Sequence, residues 1–427
     1  MYRKLSAPAA VQWEVTPSCN HLCVWCYNFW REGDPLPSLP DDYEVRYSKV
    51  VDELIRMRVF SVIITGGEPM MVIERVAPFI KRLSDAGIHI YLNSNLTLLS
   101  PERAQLIKDA GVRSILVSLP SADPETCDRL TNSRNAVDRT TRGIKIALEF
   151  GFPVMVNMVV SRDNLHQVRM TAEYVASLGV KRFAATRASN PVAGSSFADR
   201  VLDVDEFRQM LSMLDEVAVE FGFRTDTIEA NPPCAFGREH IDKSHRYCGA
   251  GRNTCTIGFD GSIRPCNRLP MSYGDIMDGL DVAWSAMDNC RSDEWLPDEC
   301  APCPLKLRCG GGCKADALVE HGDLKKPDPL CDLTFMPEPK AWDIQPIEGD
   351  EFRVNPNLQV RLEDFGAIVF TGVSSWLAVD RRMVNLFTSG QEVIELADIA
   401  GVLQTSDESA RMSAALLVKK HILIPVV

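Results

Sequence analysis

Three cysteines, Cys19, Cys23 and Cys26, fall within eight residues of the stretch "EVTPSCNHLCVWCYNF" (14–29). Clustered thiols in a chain of this kind read as metal ligands. A structural zinc site is normally closed by four ligands, yet no fourth cysteine follows until Cys127. His21 lies between two of the three on a tight loop, where reaching the same ion would be difficult. Three thiolates suit instead a cubane iron–sulfur cluster with one iron left open to a substrate or cofactor.

Fourteen cysteines in all make this chain unusual. Disulfides are the plainer explanation, but 427 residues can bury a core without staples. The N-terminus "MYRKLSAPAAVQWEV" has basic residues and no apolar core of a secretory signal. A reducing, cytoplasmic setting is therefore expected, and with it metal rather than disulfide. No run of apolar residues is long enough to span a membrane. A net charge of −12 argues against a general nucleic-acid binder.

The elements that must position these thiols follow from periodicity. Short β-branched runs at 11–16, 60–65, 87–93, 113–119, 153–160 and 181–187 alternate with amphipathic helical stretches. Such alternation implies parallel strands with right-handed crossovers. The fold class is α/β, and six units predict an open or partial (β/α)6 barrel over residues 1–230. Functional residues then belong at the C-terminal ends of the strands. From 231 to 335 periodicity fades and Cys, Pro and Gly dominate, as in a segment pinned by ligands. Residues 336–350 read as a Pro- and acid-rich linker, and 351–427 as a small domain.

Cys-x3-Cys-x2-Cys followed by an aromatic residue, here Cys19, Cys23, Cys26 and Tyr27, resembles the signature of the radical S-adenosylmethionine (SAM) enzymes. The resemblance implies a 4Fe–4S cluster whose open iron chelates SAM. It also implies cleavage of SAM to a 5′-deoxyadenosyl radical, with an electron from a donor such as flavodoxin or ferredoxin. Other strand ends agree in order. "TGGEP" (65–69) resembles the segment that holds the SAM amino group, which implicates Gly66, Gly67 and Glu68. Asn95 in "SNLTLL" (94–99) and Ser118 in "SLPSADPETCDRL" (118–130) match further cofactor positions. Leu96 and Pro120 depart from the family pattern, replacing a glycine and an acid.

A second cysteine pattern follows. Cys248, Cys255 and Cys266, then Cys300-x2-Cys303-x5-Cys309-x3-Cys313, then Cys331 resemble the SPASM extension of this family, including Gly261 in its Gly-x4-Cys element. The resemblance implies a first auxiliary 4Fe–4S cluster on Cys248, Cys255, Cys266 and Cys313, and a second on Cys300, Cys303, Cys309 and Cys331. Two zinc knuckles are the alternative. Cys127, Cys234 and Cys290 read as small hydrophobes, with Cys234 the candidate for a substrate-facing thiol. The seven histidines show no ligand spacing and read as surface residues.

The tail resembles a PqqD-like peptide-recognition domain, a small winged-helix-like α+β fold. It would have a strand pair with a hairpin around Thr371-Gly372, then "LAVDRRMVNLF" and "IELADIAGVL" as helices and a last helix ending in "KKHILI". The resemblance implies capture of a precursor peptide's leader as an added strand. A winged helix can also bind DNA, but 346–427 carries eleven Asp or Glu against seven Lys or Arg. That sign opposes phosphate contact. The expected function is oxidative modification of a ribosomally made peptide, by cross-link formation or oxidative decarboxylation. The alternatives are a radical SAM dehydrogenase or epimerase of a protein side chain or small molecule, and, outside enzymes, an iron–sulfur electron carrier or DNA-binding regulator. No catalytic side chain is assignable from the sequence.

Overall fold

The computed structural model describes residues 3–32, 37–338, 344–372 and 376–426. The chain divides into two compact units, 1–339 and 340–427. The first is built on one sheet. All six expected strands form in order: β1 (Ala10–Glu14), β2 (Ser61–Thr65), β3 (His89–Ser94), β4 (Val112–Ser118), β5 (Val154–Val160) and β6 (Arg182–Arg187). The sheet is larger than the six-unit expectation. β7 (Arg224–Asp226) adds parallel to β6, and β8 (Thr254–Ile257) adds parallel to β1. β9 (Ile263–Arg264) then returns antiparallel on β8. The order β7-β6-β5-β4-β3-β2-β1-β8-β9 leaves the sheet open. The Cys-rich segment therefore contributes its own strands to this unit.

The helices cover one face because their apolar residues recur at helical spacing. α1 (Tyr43–Arg56) buries Tyr47, Val50, Val51 and Leu54, and the Tyr47 ring meets Trp13 of β1 edge-on at 4.9 Å. α2 (Ile73–Asp85), α3 (Pro101–Asp109), α5 (Ala136–Glu149), α6 (Val168–Ser177) and α7 (Val204–Phe221) match the expected helical stretches. α4 (Pro124–Thr131) was not anticipated. Asp123 caps it, accepting from the Thr126 N–H, and Pro124 supplies its first residue.

The hairpin between β8 and β9 explains the Gly-x4-Cys element. Gly261 turns with φ of +90°, and the return strand carries the chain to Cys266.

The second unit has its own core, centred on Phe352, Val369, Ile394, Ile399 and Leu417. Strands Gln359–Glu363, Gly366–Phe370 and Leu377–Asp380 make one antiparallel sheet. Glu351–Val354, Val393–Glu395 and Leu423–Pro425 make another. Helices follow at Leu396–Leu403 and Asp407–Lys419. Two expectations need correction. "LAVD" is a strand, with the helix confined to Val384–Thr388, and the residues after Lys419 form a strand rather than a helix end. The hairpin at Thr371-Gly372 runs on into 373–375, which lie outside the described residues.

Candidate radical SAM site

A cavity of about 450 Å³ opens at the C-terminal ends of β1 to β6. Cys19, Cys23 and Cys26 line it, on the loop that leaves β1. That loop is clamped from two sides. Gly67 and Glu68 donate backbone N–H bonds to Thr16 and Ser18 carbonyls at 2.7 and 2.8 Å. A Cβ on Gly67 would stand 2.0 Å from the Ser18 carbonyl oxygen. The two glycines of "TGGEP" thus let β2 press against the thiol loop. From the other side, the Asn95 amide donates to Asn20 Oδ1 at 2.9 Å.

Glu68 is buried, and both carboxylate oxygens are committed. One accepts from Ser94 Oγ at 2.6 Å and Met70 N at 2.9 Å, the other from Asn95 N at 2.8 Å. Its side chain braces the ends of β2 and β3. Asn95 Oδ1 likewise accepts from Thr97 N and Oγ1. Ser118 and Tyr27 line the cavity as well. Burial, then the negative charges of Cys26, Glu14 and Cys266, pushes the Tyr27 phenol up.

The donor set fits iron–sulfur ligation. Burial pushes the Cys19 thiol up to about 11 and drives Cys23 higher still, so their thiolates need a positive partner. The Arg31 guanidinium is a positive neighbour of all three thiols and donates to the His21 carbonyl at 2.7 Å, and the His21 N–H donates to Cys19 Sγ at 3.4 Å. Among the described residues, no three His, Cys, Asp or Glu side chains converge as a lone metal ion would require. Two buried polar atoms at the same cavity, Gln12 Oε1 and His21 Nε2, have no hydrogen-bond partner. They are natural contacts for a polar ligand.

Of the auxiliary cysteines, Cys248, Cys266 and Cys313 come together. Each lines this cavity, and Cys248 is an electrostatic neighbour of both others. The Arg268 N–H donates to Cys266 Sγ and its guanidinium to Cys313 Sγ, each at 3.5 Å. Cys255 lines this cavity too, but on a strand whose register sets its side chain apart from the other three. It pairs with Val11 in the β1–β8 register, whereas Thr256 pairs with cavity-lining Gln12. Strand alternation therefore turns the Cys255 side chain to the helix-covered face with Val11 and Trp13. Its charged neighbour there is Arg291, not another thiol.

Cys300, Cys303, Cys309 and Cys331 gather apart from the cavity, with Cys331 hydrogen-bonded to Cys300 and Cys309 Sγ accepting from Gly312 N at 3.2 Å. Cys127 and Cys290 are buried, as small hydrophobes should be. Three histidines depart from the surface expectation: His21, His89 and His240 are buried. Burial, aided by Arg139 and Arg31, lowers His21 to about 4 and keeps it neutral.

No periodicity or motif points to the charged floor of the cavity. Arg187, fully buried at the end of β6, donates to Asp316 at 2.8 Å, Asp328 at 2.7 Å and Asn231 at 2.8 Å. Beside this network Glu229 lines the cavity. Burial pushes its carboxyl up to about 7, against the pull of Arg268 and Arg187. A carboxylate poised near neutrality at a cavity wall can accept a proton.

Comparison with known proteins now fits this geometry. Residues 13–175 match the radical SAM superfamily. The chain carries a radical SAM domain. An AdoMet-dependent heme synthase from Methanosarcina barkeri is 28% identical over 354 residues, covering 78% of this chain and 98% of that one. A PqqA peptide cyclase from Bradyrhizobium diazoefficiens is 26% identical over 353 residues, covering 78% and 88%. Streptococcus suis SuiB bound to S-adenosylmethionine shares the fold, with a TM-score of 0.63 at 18% identity over 77% of this chain and 78% of that one. SuiB has also been solved with its precursor peptide SuiA, at TM-score 0.61, 18% identity, and 77% and 76% coverage. Among the described residues no helix is long and apolar enough to cross a membrane.

Proposed function

We propose that this chain is a radical SAM/SPASM maturase that modifies a ribosomally made precursor peptide by net oxidation. One observation carries the reading: Cys19, Cys23 and Cys26 share a single cavity with Cys248, Cys266 and Cys313. When bound, SAM and a cluster on the first trio supply a carbon radical able to abstract hydrogen, and auxiliary clusters supply a route for the electron released. The chain's own residues do the rest. The Gly66–Glu68 backbone, Asn95 and Ser118 line the SAM pocket, and Glu229 takes the proton lost from the oxidised carbon. Two thiol groups on one cavity favour a reaction that returns an electron, such as cross-link formation or oxidative decarboxylation.

The relatives named for a peptide cyclase and for a precursor-peptide complex support a peptide substrate. The separate C-terminal unit supports leader capture, since Gln359–Glu363 and Leu377–Asp380 are outer strands of its sheet and can accept a strand. An electron donor of the flavodoxin or ferredoxin type and a cytoplasmic setting belong to the same reading. The heme synthase relative favours a second one, a small-molecule side chain as substrate, because that match covers 98% of its own length.

The test is anaerobic incubation with SAM, a strong reductant and a peptide encoded beside the gene. Loss of two hydrogens from the peptide is expected for a cross-link, and loss of carbon dioxide with two hydrogens for decarboxylation. Protein that forms no 5′-deoxyadenosine would overturn the enzyme assignment. Removing 346–427, a unit with its own core, should abolish leader binding. If peptide affinity is unchanged, the small-molecule reading takes its place.

A further inference from the structure

A fifth thiol, Cys234, lies beside the second auxiliary thiol group. Cys234, on the short helical turn Pro233–Phe236, has the Cys331 and Cys300 thiols as neighbours. Cys303 and Cys309 both have Cys234 as an electrostatic neighbour. It does not line the SAM cavity.

The closeness of Cys234 and Cys331 does not rest on the sulfurs alone. Arg208 of α7 holds the two segments together. Its guanidinium donates to the carbonyls of Ala235 at 3.0 Å and Cys234 at 3.3 Å, and to the Asp332 carboxylate at 2.6 Å. The Asp332 backbone completes the link by donating to Cys234. A residue before the Cys-rich segment and one at its end are thereby fastened to one point. Cys234 and Cys331 are both only partly buried, so either can turn without leaving a cavity in a packed core.

We propose that Cys234 is a ligand of the second auxiliary cluster: Cys300, Cys303 and Cys309 hold three corners, and the fourth is shared between Cys331 and Cys234. The exchange is a thiolate-for-thiolate substitution at iron, with a proton passing from the incoming to the outgoing thiol, and no oxidant is needed. The proposal rests on the three-cluster reading above.

Iron and sulfide content of the anaerobically reconstituted full chain tests it. Wild-type protein that binds fewer than three clusters would defeat the three-cluster reading itself. Given three clusters, Cys331→Ala should keep its iron, while Cys331→Ala with Cys234→Ala should lose four irons. Equal loss in the single and double variants overturns the proposal, as does full retention in the double variant. A measurement on unaltered protein guards against misfolding. Anaerobic alkylation of the holoprotein followed by peptide mapping should label Cys234 and Cys331 each in part. Complete labelling of Cys234 with none on Cys331 would overturn the exchange.

Discussion

At the level of single residues, two positions carry the most chemistry for their size. Gly67 leaves no room for even a methyl group, since its Cβ would overlap the Ser18 carbonyl and approach the Pro17 oxygen at 2.8 Å. Gly67→Ala should push the thiol loop away from β2 and cost roughly 1–3 kcal/mol by overpacking. The loss should be selective: iron at the first trio falls while auxiliary iron is retained, read by iron content and by the spectral change on adding SAM. Gly401→Ala, which meets nothing within 4 Å, is the control. Glu229 makes a different prediction. Burial holds its carboxyl near 7 against an ordinary 4.5, with Arg187 and Arg268 lowering it and Asp316 and Asp328 raising it. The proton-accepting form is then scarce at pH 6 and dominant at pH 8. Turnover should rise through about pH 7, and Glu229→Gln should slow it by about a hundredfold and flatten that limb. A pH–rate profile that keeps its limb in Glu229→Gln would remove the assignment.

At the level of elements, most of the sheet was legible because strand and helix periods differ so clearly. The six strands and their crossover helices lie where apolar spacing put them. The misses have physical reasons. α4 follows directly on a strand end, and its Asp123-Pro124 start reads equally as a turn. "LAVD" satisfies both alternation and helical spacing over so few residues, and pairing with Gly366–Phe370 decides for strand. Leu96 shows compensation between elements. It stands where the family pattern has glycine and adopts φ of +56°, a left-handed conformation costly for a bulky side chain. Gly143 of α5 faces it, with a built Cβ only 2.2 Å from the Leu96 carbonyl oxygen. Gly143→Ala should therefore lower stability by roughly 1–3 kcal/mol, seen as a fall in Tm. The same substitution at Gly401 should leave Tm almost unchanged.

At the level of the whole first unit, the sheet and the Cys-rich segment are joined by buried charge, which no pattern in the sequence announces. Arg187 ends β6, while Asp316 and Asp328 lie more than a hundred residues later. Asp328 also accepts from the Cys313 N–H at 2.9 Å and the Leu330 N–H at 2.9 Å. One guanidinium thus fixes the Cys313 backbone relative to the strand that floors the cavity. Burial alone would raise Asp316, but Arg268 and Arg187 hold its carboxyl below the ordinary range. Replacing Arg187 with Leu leaves two buried carboxylates short of their partner, a change that costs about 3–5 kcal/mol when a buried pair is broken. The sign with pH follows. Burial already raises Asp328 against the pull of Arg187; with the arginine gone it takes up a proton at still higher pH, so the variant's deficit should shrink as pH falls toward 5. Thermal melts of wild type and Arg187→Leu across pH 5 to 8 should converge at the acid end. Iron bound by Cys248, Cys266 and Cys313 should fall in parallel, with the first trio less affected. A deficit that stays constant with pH would mean that Arg187 acts by packing, and that the tie between sheet and auxiliary site is not electrostatic.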